Sequence, residues 1–254
     1  RLMSTVTGLL TANAARWKVA KLTRASEFGP VAKRLVAAKA RYQAVAAKTG
    51  VPWFVIAVIH QRESSQNFSR SLAQGDPWNQ VSTHVPKGRG PFKSWEEAAI
   101  DALVNCAPYA SRWRDWSPGG TMTLLEQYNG LGYASKGLPS PYVWSGTDQY
   151  VKGKYVADGV FSASAVDKQL GCAGLIMAMA ALDPSISFSG NVPVLTDAPV
   201  PQSKPPVSKS EKAVVASSAA AAGAATAQYG IWIGVGVAAL LIVSAFLYFK
   251  FVRK

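Results

Sequence analysis

Arg62-Glu63-Ser64 stands at the end of an unbroken apolar run from Val51 to Ile59. Pro52 suits the first turn of a helix, where a missing N–H costs nothing. More than two turns of apolar side chains behind it mark a helix that is buried on all sides. A carboxyl at the end of such a helix meets low dielectric and the partial negative charge of the helix C-terminus. Both effects raise the pKa of Glu63, as a general acid working near neutral pH requires. The competing reading is a Glu that merely leaves the core for solvent beside Arg62.

The elements that must hold this residue are expected to be mostly helical. Ser94 with Glu97 reads as a capping box opening a helix to about Cys106, stopped by Pro108. Thr121 or Thr123 opens a second helix ending at Asn129-Gly130. Ser164 with Asp167 opens an apolar helix through Leu170, Leu175, Ile176 and Met179 to Pro184. The Gly/Pro-rich stretch Gly75 to Gly90 suits a small hairpin or loops. The expected fold class is therefore mainly α, in the α+β sense of a helix-rich body with a small hairpin region.

The net charge of +13 is unevenly spread. Residues 1–48 carry ten Lys/Arg and one acid, whereas residues 49–190 carry eleven of each sign. The excess thus lies in a basic amino-terminal arm, with a helical stripe at Val31, Leu35, Ala38, Tyr42 and Val45. That stripe is expected to pack on the domain; contact with an anionic polymer or lipid is the alternative. No zinc-ligand spacing or basic-region heptad accompanies the charge, so no nucleic-acid partner is expected. The two histidines and two cysteines form no ligand cluster, and neither metal nor cofactor is called for. Cys106 and Cys172 are expected on helices, as a disulfide if the chain is exported or as buried thiols otherwise.

Composition divides the chain at 1–48 (arm), 49–188 (globular domain), 189–228 (linker) and 229–254 (anchor). The linker is rich in Pro, Ala, Ser and Lys and cannot bury enough apolar surface to fold alone. Ile231 to Phe249 are nineteen uncharged residues closed by Lys250, Arg253 and Lys254. That length nearly spans a hydrocarbon core of about 30 Å, and Trp232 and Tyr248 sit where interfacial aromatics belong. A single transmembrane helix is expected; the terminal cations favour a cytoplasmic carboxyl end with the globular domain outside, and the lack of a visible export signal argues for the reverse. No signal peptide is visible, and the chain opens on Arg rather than Met, so its true start is expected upstream or removed by processing.

Three runs in order carry a resemblance. Arg62-Glu63-Ser64-Ser65 closes the buried helix, Gly88-Arg89-Gly90-Pro91-Phe92 follows in a loop, and Tyr128-Asn129-Gly130 ends a later helix. This order resembles the goose-type lysozyme and soluble lytic transglycosylase superfamily. Val51 to about Asp183 is similar to lysozyme-family proteins of phages and prophages, through Ser71-Leu72-Ala73-Gln74-Gly75-Asp76-Pro77-Trp78, His84-Val85-Pro86 and Tyr128 to Tyr133. The resemblance implies a lysozyme-like domain whose partner is peptidoglycan, with Glu63 protonating the glycosidic oxygen between N-acetylmuramic acid and N-acetylglucosamine. It implies that Ser64 lies in the cleft, that Tyr128 orients the Glu, and that Asn129 holds an N-acetyl group or hydroxyl. Arg89 and Pro91 depart from the superfamily's loop pattern.

An inverting hydrolase needs a second carboxylate about 6.5–9.5 Å from the acid. Asp76 falls where goose-type lysozymes carry an aspartate, though Gly-Asp-Pro is also ordinary turn chemistry. A lytic transglycosylase needs no second acid. Tyr133, Tyr142, Trp144, Tyr150 and Tyr155, with Trp78 and His84, are candidates to line a glycan cleft by stacking on sugar faces. The alternative is that they anchor a long loop. Asp148 and Asp158 are lower-ranked acids. A rival function is a non-catalytic peptidoglycan-binding or structural membrane protein.

Overall fold

The computed structural model describes residues 2–189 apart from Gln74 and Val85. The linker beyond Ser189 and the expected membrane span lie outside the described residues. Within them the protein is helix-rich, with one two-stranded sheet. No single described helix is long and apolar enough to cross a membrane.

Helix α4 (Trp53–Ser64) is the centre of the molecule. Pro52 stands at its N-cap, and the Pro52 carbonyl accepts from Val55 and Ile56 N–H. The residues from Trp53 to His60 are all buried, as an all-apolar helix surface demands. Around it lie α2 (Ala25–Ala37), α3 (Lys39–Thr49) and α8 (Cys172–Ala180), while α6 (Pro118–Asn129) touches it and receives α1 (Leu2–Val19) on its outer side. Helix α5 (Trp95–Asn105) packs on α3.

The basic arm is part of this core. Phe28, Ala32, Leu35, Tyr42 and Val45 are all fully buried, so residues 1–48 are not separated from 49–188 by any change in packing. The expected stripe is present but runs over two helices, broken at Ala38, which caps one and starts the other. Tyr42 reaches inward to bond its hydroxyl to His60 Nδ1 at 3.0 Å, inside an aromatic cluster with Phe68 and Trp95. Burial pushes the His60 imidazole down to about 4, so it stays neutral.

Helix α5 starts as expected: Ser94 caps it through Glu97 N–H, and Glu97 reaches back to Lys93 N–H. Two other starts differ. Helix α6 opens at Ser117, whose hydroxyl accepts from Gly120 N–H with Pro118 at the first helical position, rather than at Thr121 or Thr123. Those two threonines are buried within the helix. Helix α8 opens at Gly171 rather than Ser164, because Asp167 is drawn into an ion pair instead of a cap. The described residues of 75–90 hold no helix or strand, so of the two forms expected there it is the loops that are present; the hairpin lies at β1 (Lys154–Ala157) and β2 (Val160–Ser162), antiparallel and joined through Asp158-Gly159. Cys106 and Cys172 are buried free thiols.

Candidate active site

Glu63 sits on the last turn of α4, half-buried, where the chain leaves the helix through Ser65 and Gln66 at φ 54° and 63°. Two successive left-handed residues without glycine cost about 1–3 kcal/mol each. They persist because Ser65 and Gln66 N–H close on the Gln61 and His60 carbonyls, and the Gln66 side chain bonds the Arg34 carbonyl at 3.0 Å. The turn therefore ends the helix immediately after the carboxyl.

The Tyr142 hydroxyl donates to Glu63 Oε1 at 2.8 Å. Tyr142 belongs to a short helix, α7 (Pro141–Trp144), and is almost wholly buried. Burial pushes the Glu63 carboxyl up to about 7, against the smaller opposing pulls of the Tyr142 hydrogen bond and the Arg62 charge. Glu63 is thus an acid able to hold its proton near neutrality.

Arg62, its neighbour, points elsewhere. Its guanidinium binds Asp167 Oδ2 at 2.9 Å and the Leu170 carbonyl at 3.3 Å, and lies 4.8 Å from the centre of the Tyr142 ring. Asp167 also receives Lys154 Nζ at 3.2 Å. The alternative in which Glu63 follows Arg62 into solvent is not what the structure shows.

Tyr128 does not bond Glu63. Its hydroxyl donates to the Leu72 carbonyl at 3.0 Å, and Tyr142 takes the orienting place instead. Tyr128 is nonetheless adjacent: burial and then the Glu63 charge push its hydroxyl well above the usual range. Gly75 lies against this end of α4, where an added Cβ would be 3.8 Å from the Glu63 backbone carbonyl. Asn129 ends α6 half-buried, and Ser64 turns its hydroxyl back onto the His60 carbonyl at 3.2 Å.

Asp76 is committed to its loop. Oδ2 accepts from Thr83 and His84 N–H at 2.9 and 3.0 Å, and Oδ1 pairs with His84 Nδ1 at 2.6 Å. These bonds outweigh burial and hold the carboxyl below its usual value, which makes it a poor base for water. The His84 side chain is exposed beside it. Asp148 is exposed and bonded to Lys21 N–H; Asp158 is exposed at the hairpin turn.

The expected aromatic cleft is only partly present. Trp144 is fully buried with its indole N–H on Asn13, so it has no face for a sugar. Tyr133 is buried against Tyr155 and Phe161 of the hairpin and accepts from Tyr155 N–H. Trp78 lines an open depression of about 210 Å3 with Asn67, Ser69, Arg70, Pro77 and Asn79, which Glu63 does not line. Asp167 was not foreseen at the site, although a buried Arg on an apolar helix demands a carboxylate partner from somewhere. Comparison with protein-family models, curated proteins and solved structures finds no match to this chain.

Proposed function

We propose that the chain cleaves peptidoglycan glycan strands through a lysozyme-like domain, with Glu63 as the general acid. The observation that carries this reading is a carboxyl protonated to about pH 7 at the accessible end of a rigid buried helix, aimed by Tyr142. Glu63 gives its proton to the glycosidic oxygen as the C1–O bond breaks, leaving an oxocarbenium-like sugar. The resulting carboxylate then takes a proton from the attacking hydroxyl, either water or the muramoyl residue's own 6-hydroxyl. Because Asp76 spends its lone pairs on the loop, the geometry favours the second route, in which one carboxyl serves both steps and an anhydro ring closes.

The linker and the apolar stretch 231–249 fit a tether to the membrane, with the domain facing the cell wall. Glu63→Gln should abolish release of soluble fragments from purified peptidoglycan while circular dichroism stays unchanged; undiminished release rejects the assignment. Product mass spectrometry separates anhydro ends from reducing ends. The rival reading is glycan binding without cleavage. It requires peptidoglycan pull-down with no products at any pH.

A further inference from the structure

Arg62 and Glu63 are consecutive on α4, yet their side chains part. The guanidinium is enclosed, and the residue that encloses it is itself fixed from several sides. Asp167 takes Arg62 on Oδ2, Lys154 and Gln169 N–H on Oδ1, and its backbone is held by the Tyr150 and Ser145 hydroxyls. The side chains of Arg62 and Asp167 are each 6 % exposed. At the other end, Arg62 lies over the Tyr142 ring whose hydroxyl bonds Glu63. A continuous chain therefore runs Asp167–Arg62–Tyr142–Glu63.

The titratable groups facing Glu63 come from four helices: Arg62 on α4, Tyr128 on α6, Tyr142 on α7 and Cys172 on α8. Burial keeps both phenols and the thiol neutral, so Arg62 alone of these brings charge. An uncompensated buried cation favours the charged form of a neighbouring carboxyl. We propose that Asp167 is a positioning residue for the acid: it holds the Arg62 guanidinium on itself and over the Tyr142 ring, and offsets part of its charge at Glu63. Lys154, partly exposed, completes the pair at Asp167 Oδ1. The inference rests on Glu63 being the general acid, and it assigns the neighbouring ion pair to the proton rather than to the sugar.

The test reads the Glu63 carboxyl directly, by 13C titration of the full chain with Glu63→Gln supplying the assignment, beside the pH profile of peptidoglycan solubilisation. Asp167→Asn should lower the Glu63 midpoint by about one to three pH units, and the alkaline limb of activity should move down with it. Replacing both partners, Arg62→Met with Asp167→Leu, should return the midpoint to the wild-type value or above. An unmoved midpoint in Asp167→Asn overturns the inference, and so does a fall in the paired variant, which decides alone if the single variant does not fold. Absence of fragments from wild type at every pH fails the enzymatic reading instead, and the carboxyl titration keeps the two failures apart.

Discussion

Glu63 is not the only protonated acid in the protein. Glu126, fully buried on α6, is pushed up to about 7 by the same desolvation. Its surroundings differ: Oε2 receives Asn13 at 3.5 Å, Asn13 also bonds Thr123 and Trp144, and Oε1 has no partner among the described residues. Glu126 ties α1 to α6 in the interior, whereas Glu63 reaches the surface, so a raised pKa alone does not identify an active site. Both folded values lie above the unfolded one, so their stabilising contribution is complete below about pH 4.5 and is lost as pH rises through about 7. Glu126→Gln should therefore stabilise the fold by about 1–3 kcal/mol at pH 8 in chemical denaturation, change little at pH 4, and leave fragment release intact. Tyr142→Phe removes a donor that favours the charged carboxyl, so the alkaline limb of the pH–rate profile should move upward while the maximal rate drops. Glu63 was legible because an apolar run ended on it. Tyr142 was legible only as one aromatic among several, since its partner lies 79 residues away in sequence.

At the scale of elements, local chemistry carried through where a helix's start is written in its own first turn. Ser94 and Glu97 do what a capping box does, and Ser94→Ala should cost about 1 kcal/mol in a denaturant melt. The start of α8 was misplaced because Ser164 and Asp167 look like a cap, but a buried guanidinium outbids a helix N-terminus for the carboxylate. The position of the hairpin was not legible, for a related reason. Gly and Pro mark any turn, whereas Tyr155 and Phe161 pair as strands because Tyr133 covers them. Close packing leaves its own mark at Gly174, where an added Cβ would sit 2.4 Å from the Phe28 ring. Gly174→Ala should force α2 and α8 apart and destabilise the fold by about 1–3 kcal/mol, read from the same melts.

Across the whole molecule, charge drew a border that packing does not observe. Lys33, Arg34, Lys39, Arg41 and Lys48 lie on α2 and α3, whose other faces supply Phe28, Leu35, Tyr42 and Val45 to the interior. Helical periodicity showed that stripe; it did not show that the stripe joins one continuous core with the body. Deleting residues 1–48 should leave a chain without a cooperative thermal transition, rather than a trimmed and functional domain. The carboxyls also sort into two sets. Asp76, Asp167 and Asp183 surrender their protons more readily than free aspartates, while Glu63 and Glu126 retain theirs far longer than free glutamates. The first set suffers in strong acid and the second in alkali, so mild sourness is where the architecture and the proposed proton donor are both at their best. On the proposed reading, a rising pH would blunt the tool and slacken its handle together.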